Sequence, residues 1–154
     1  YLLKAMEELD KIGFNYELNI VGGYSPDDVL IGKYKPKHVN FIGQVPQDDL
    51  KGYLATSDCY LFPSLCEGCA QSGMEALTAG LPVIATYESG LPITDGDNGI
   101  LIDAANVASI VDAVKRMASD KSLRINLGTK AAEMMKNQYT WDVYAKNVCI
   151  VYKK

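Results

Sequence analysis

The run from Phe62 to Ala85, FPSLCEGCAQSGMEALTAGLPVIA, constrains this chain more than any other stretch. An apolar segment, Cys59 to Phe62, leads into it and reads as a strand. Pro63 stops that strand, because proline cannot donate to a sheet ladder. A polar loop carrying Glu67 follows. Ser72 is the expected N-cap of a short helix from Gly73 to Ala79. Gly80 supplies the left-handed residue that ends it, and Pro82 leads into a second apolar strand, Val83 to Ala85. Strand, loop, helix and strand in so few residues predict a parallel crossover unit. The loop lies at the carboxyl end of one strand and the amino end of one helix, which is where open parallel sheets bind ligands. The helix start offers free N–H groups and a partial positive charge, suited to phosphate.

Two carboxylates flank that helix start, Glu67 on the loop and Glu75 eight positions on. Neither suits a phosphate, but both are good acceptors for sugar hydroxyls. The pattern fits a ligand with phosphate at its centre and a hydroxyl-rich group on either side, the layout of a nucleotide-diphosphate sugar. The plain alternative is two solvated glutamates that stand near one another by chance.

The same residues resemble the donor-site signature of retaining glycosyltransferases of the GT-B fold, in particular glycosyl transferases group 1, family four. That signature has Pro-Ser, then Glu-Gly-Phe-Gly, a second Glu eight positions after the first, and Ala-Met-Ala-x-Gly-x-Pro-Val. Here the residues are Pro63-Ser64, Glu67-Gly68-Cys69-Ala70, and Glu75-Ala76-Leu77-Thr78-Ala79-Gly80-Leu81-Pro82-Val83. The chain departs at Cys69, usually aromatic in the family, and at Ala70, often glycine. Three further stretches are similar to the family in the same order: Asn40 to Gly43, Asp95 to Ile102, and Tyr139-Thr140-Trp141.

Composition narrows the alternatives. With 154 residues, 48% of them hydrophobic, the chain makes one domain with a sizeable core. A net charge of −4 argues against a broad nucleic-acid or anionic-membrane surface. There is no membrane-spanning run and no signal-peptide pattern. The chain starts at Tyr1, inside a helical pattern, which leads to the expectation that it is part of a longer protein. Cys66 and Cys69 form a C-x-x-C, but Cys59, Cys149 and the single histidine, His38, do not complete a zinc-ligand spacing. A redox pair is the other special reading of these cysteines, and ordinary reduced thiols are the plain one.

Along the chain, residues 2–12 carry apolar positions at helical spacing and Gly13 ends that helix. Tyr16 to Val21 read as a strand stopped by Gly22-Gly23, a pair that could form part of a phosphate loop but lacks the third glycine of a dinucleotide fingerprint. Ser25 and Pro26 read as a helix start, with the helix running to about Tyr34. Val39 to Ile42 form a strand, followed by the loop Gly43-Gln44-Val45-Pro46 and a helix from Asp48 to Thr56. After Ala85 come a loop, a turn cluster at Asp95 to Gly99 and a strand at Ile100 to Ile102. Asn106 is the expected cap of a helix from Val107 to Met117. A helix from Lys121 to Lys136 is expected to be interrupted near Gly128. Thr140 caps the last helix, Trp141 to about Val151, whose stripe of Trp141, Tyr144, Val148 and Val151 reads as core or domain-contact surface.

These elements predict an α/β fold: a Rossmann-like, doubly wound parallel sheet in three α/β/α layers with five strands. The resemblance adds that this is the C-terminal half of a GT-B enzyme, a single donor-binding domain over 1–154. It implies a further, central strand before Tyr1, so that a gap is expected in the sheet. It also implies an N-terminal acceptor-binding domain and an upstream Arg and Lys that clamp the diphosphate, none of them in this sequence. The implied activity is transfer of a sugar from a nucleotide-diphosphate donor to an acceptor hydroxyl with retained configuration.

On that resemblance Glu67 is the catalytic-site carboxylate, accepting from the donor sugar. Gly68 and the backbone N–H groups of Cys69, Ala70, Gln71 and Ser72 face sugar and phosphates, and Glu75 accepts from the ribose. Gly43, Gln44 and Val45 hold the base; Gly22, from the glycine pair read as part of a phosphate loop, completes the donor-binding set. No cofactor and no metal are expected to be required. The expected partners are the nucleotide-diphosphate sugar and an acceptor glycan or lipid, without nucleic acid. The expected location is cytoplasmic; peripheral attachment at the membrane face, common in such families, is an option left open. A sugar-nucleotide epimerase and a domain that only binds nucleotide sugar or a partner are the alternatives.

Overall fold

The computed structural model describes residues 1–25, 27 and 29–152. Among them are five strands, β1 (Leu18–Val21), β2 (Val39–Gly43), β3 (Tyr60–Phe62), β4 (Val83–Thr86) and β5 (Ile100–Ile102). The helices are α1 (Leu2–Lys11), α2 (Val29–Lys33), α3 (Gln47–Thr56), α4 (Gln71–Thr78), α5 (Val107–Ser119), α6 (Lys121–Gln138) and α7 (Trp141–Tyr152), with a 3-10 turn at Tyr87–Ser89. Every strand pairing is parallel. The strands form two ladders, β1–β2 and β3–β4–β5. Among the described residues the two are not joined by strand hydrogen bonds, and a cavity of about 540 Å³ lies between Tyr16 and Glu17, which lead into β1, and Asp58, just before β3.

Alternation along the strands builds the layers. Ile84 of β4, with Leu61 of β3 beside it, packs into a core with Met6 and Leu9 of α1 and Ile110 and Met117 of α5. Their neighbours Val83, Ala85, Tyr60 and Phe62 point the other way, to Ala76 and Leu77 of α4 and Ala131 and Met135 of α6. A strand apolar on both faces is what a parallel sheet covered by helices requires. Leu18 and Val39 extend the first core to the β1–β2 ladder. This is the expected doubly wound arrangement.

Several boundaries differ from the expectations. The strand expected from Tyr16 starts at Leu18, where the chain first pairs with β2. The expected helix start at Ser25 and Pro26 cannot be followed, because Pro26 lies outside the described residues. Helix α4 starts at Gln71, with Ala70 in the cap position, and no side chain caps it. Ser72 therefore sits inside the first turn, its hydroxyl taken by Tyr60 rather than by a helix N–H. Helix α6 runs unbroken through Gly128. That glycine is there because α6 crosses Gly80, whose carbonyl oxygen leaves no room for a Cβ. Asn106 and Thr140 cap α5 and α7 as expected. The stripe on α7 is not core: Trp141 is 84% and Val151 71% exposed. No helix among the described residues is long and apolar enough to cross a membrane.

Candidate donor site

Helix α4 begins one loop after β3. Its first intrahelical bond runs from the Met74 N–H to the Ala70 carbonyl at 3.1 Å. The N–H groups of Gln71, Ser72 and Gly73 precede that bond and meet no capping side chain. Gly73 is buried, and a Cβ there would overlap the Leu91 side chain, so glycine lets this turn settle on the 87–92 loop. The result is an open helix N-terminus at the carboxyl end of a parallel strand, with the partial positive charge such ends carry.

The loop before α4 is fastened to the loop after β4. The Thr86 hydroxyl donates to the Ser64 carbonyl at 2.5 Å, the Glu67 N–H to the Glu88 carbonyl at 2.9 Å and the Ala70 N–H to the Ser89 carbonyl at 3.2 Å. Ser89 is itself buried and donates its hydroxyl to the Thr86 carbonyl at 2.7 Å. At Gly90, which has φ of +67°, an added Cβ would strike the Gly68 carbonyl. These contacts fix the Glu67 backbone while its side chain stays exposed.

Of the amides expected to face a ligand, that of Ala70 is already spent on Ser89, so its part is to pin the loop. Its methyl, 5% exposed, belongs to the core beside α4 and α6. Glu67, Gly68, Cys69, Gln71 and Ser72 are exposed, and Glu75 is half-buried. The Tyr60 hydroxyl donates to Ser72 Oγ at 2.7 Å. Burial pushes this phenol above its ordinary range; the Ser72 hydrogen bond opposes the shift and the Glu75 carboxylate adds to it. Tyr60 thus ties strand β3 to Ser72 at the start of α4, a role that the sequence pattern did not reveal. Its only signal was a hydroxyl on the first residue of an otherwise apolar strand.

The second group of expected residues lies at the carboxyl ends of β1 and β2. The Gly22 N–H donates to the Gly43 carbonyl at 2.9 Å, with φ of +138° and +82° at the two glycines. Gln44 lies against Gly23, and the rings of Tyr24 and Phe41 are 5.2 Å apart. Val45 follows, half-buried. Each group of residues therefore sits at the carboxyl end of its own ladder. The 540 Å³ cavity is elsewhere, at the amino ends of β1 and β2. His38 lines it, exposed, edge-on to Tyr16 at 5.6 Å. Among the described residues no cluster of three or more His, Cys, Asp or Glu is placed to hold a metal.

Comparison with known proteins agrees with this architecture. The family model for glycosyl transferases group 1 matches residues 1–134. The D-inositol 3-phosphate glycosyltransferase of Corynebacterium kroppenstedtii is 31% identical over 117 residues, 75% of this chain and 26% of that protein. A GDP-mannose-dependent alpha-(1-6)-phosphatidylinositol monomannoside mannosyltransferase of Mycobacterium tuberculosis is 31% identical over 117 residues, 70% of this chain and 30% of its own length. The chain thus spans under a third of these two relatives. Among solved structures, sucrose-phosphate synthase from Thermosynechococcus elongatus superposes with a TM-score of 0.83 at 24% identity, over 99% of this chain and 40% of that one, which shows the shared fold. This chain belongs to the glycosyl transferases group 1.

Proposed function

We propose that this domain holds the nucleotide-diphosphate-sugar donor of a retaining glycosyltransferase, and that the whole protein passes the sugar to an acceptor hydroxyl. One observation carries the reading: the uncapped first turn of α4 stands between an exposed Glu67 and a half-buried Glu75. In this reading the N–H groups of Gln71, Ser72 and Gly73 take the diphosphate, whose charge they match. Glu67 accepts from the donor sugar's hydroxyls and Glu75 from the ribose. Gly22, Gly43, Gln44 and Val45 bracket the base. The remaining positive charge and the acceptor, a glycan or lipid, come from parts of the protein outside this chain, and no metal is required. Catalysis rests on stabilising the leaving diphosphate rather than on a base within this domain. That one relative is named as GDP-mannose-dependent supports the donor class.

The test is calorimetric titration of the full-length protein with UDP, GDP and ADP, each alone and as its glucose or mannose conjugate. The expected result is one preferred base, with affinity lost in Glu75→Ala. The anomeric proton coupling of the transfer product then reports retention. Binding of none of these ligands would overturn the reading.

A further inference from the structure

Two thiols stand in the loop that the proposed donor site depends on. Cys66 and Cys69 are both free and exposed, and they bracket Glu67 and Gly68. The other two cysteines are placed differently. Cys59 is partly buried just before β3, and burial pushes its thiol up to about 11. Cys149 is exposed on α7, in another part of the chain. Cys66 and Cys69 are thus the two exposed thiols that share one short loop, and the chain bends at Cys66 and again at Gly68 between them.

We propose that Cys66 and Cys69 form a reversible disulfide that switches the donor loop off. The proposal rests on the donor-site reading above. The oxidant is a hydroperoxide. One thiolate attacks the peroxide, an S–O bond forms and the O–O bond breaks, giving a sulfenic acid and, for hydrogen peroxide, water. The second thiol attacks that sulfur, the S–S bond forms and a second water leaves. Two thiols give up two electrons in all, and the peroxide accepts them.

The consequence for the site follows from what surrounds the two intervening residues. Glu67 is fixed through its N–H to the Glu88 carbonyl at 2.9 Å, and Ala70 through its N–H to the Ser89 carbonyl at 3.2 Å. Gly68 lies between these anchors, and a Cβ on it would meet nothing within 4 Å. A disulfide imposes its own narrow dihedral and a short Cβ–Cβ distance. Gly68, lacking a side chain, is the residue whose backbone can turn to meet that demand, at the cost of its packing against Gly90. Its rotation swings the Glu67 carboxylate, assigned to the donor sugar, on one side and the Cys69 N–H, which the family resemblance places towards sugar and phosphates, on the other. Its carbonyl also leaves its seat against Gly90. Closure of the ring therefore acts on the donor site without either sulfur touching the donor.

The experiment treats full-length protein with hydrogen peroxide, alkylates remaining thiols and maps chymotryptic peptides by mass spectrometry, with donor binding measured on the same samples. The expected result is a peptide holding Cys66 and Cys69, two hydrogens lighter and unalkylated. Donor binding should fall by about tenfold or more and return with dithiothreitol. Cys66→Ser should bind donor normally and keep its affinity through peroxide. Two alkylated thiols after peroxide would overturn the switch, as would a disulfide that leaves affinity unchanged. A reduced protein that binds none of the nucleotide sugars would overturn the donor reading and the switch together.

Discussion

Gly90 and Gly68 meet backbone to backbone: a Cβ on Gly90 would overlap the Gly68 carbonyl oxygen. Gly90 also has φ of +67°, a conformation that costs a side-chain-bearing residue about 1–2 kcal/mol before any overlap is counted. Gly90→Ala is expected to push the 87–92 loop off the Glu67 loop, breaking the Glu67-to-Glu88 and Ala70-to-Ser89 hydrogen bonds. Donor affinity should fall further than stability does. Thermal unfolding and titration of the full-length variant measure the two separately. A variant with wild-type donor affinity would show that the clamp between the loops does not matter to the site.

The two carboxylates should separate by kinetic signature. Glu75→Ala removes an acceptor assigned to the ribose, and a hydrogen bond to a charged group contributes about 1.5–3 kcal/mol. Donor binding is expected to weaken roughly ten- to a hundredfold, with the rise seen in KM. Glu67→Ala removes the acceptor beside the reacting sugar and should lower kcat strongly. Glu133→Ala, exposed on α6, is the control and should change neither. Equal turnover in all three would remove both glutamates from the site.

The crossover unit was legible because its punctuation is local. Pro63, Gly80 and Pro82 act through their own backbones, and β3, α4 and β4 fall where those residues place them. Ser72 misled because its capping propensity is also local, whereas its partner is Tyr60, twelve positions away and 2.7 Å distant. Gly128 reads as a break on propensity alone; only the crossing against Gly80 explains it. The clamp between the Glu67 loop and Ser89-Gly90 has no local signal either, since it joins backbone groups of two connections. The α7 stripe had the right period for a buried face, but periodicity says that a face is apolar and not what covers it.

The Gly128 contact gives a stability prediction of definite sign. Gly to Ala within a helix gains about 1 kcal/mol of propensity. Here the added methyl meets the Gly80 carbonyl and lies 3.5 Å from Pro82 Cδ, between a helix and the segment entering β4. Overpacking of this kind costs about 1–3 kcal/mol and more where backbone must move. Gly128→Ala should therefore lower Tm despite its better propensity. A raised Tm would mean that α6 shifts without cost and that the crossing is loose.

Alkaline pH should weaken the fold through two groups whose protonated forms it favours. Burial holds the Tyr16 hydroxyl up at about 12 against an ordinary 10.0, with Asp10 adding to the effect; burial likewise holds the Cys59 thiol up at about 11 against 9.0. A raised folded-state value means that the native state keeps the proton that the unfolded chain has released. The stabilisation is therefore complete below about pH 9, and rising pH removes it between about 9 and 11 for Cys59 and between about 10 and 12 for Tyr16. The urea midpoint should fall over that range, and Tyr16→Phe should flatten the upper part of the decline. At pH 8 only about one Cys59 in a thousand is thiolate, so iodoacetamide should modify it last of the four cysteines in the native protein. Rapid labelling of Cys59 would mean that the start of β3 opens to solvent far more readily than its packing against the first core requires.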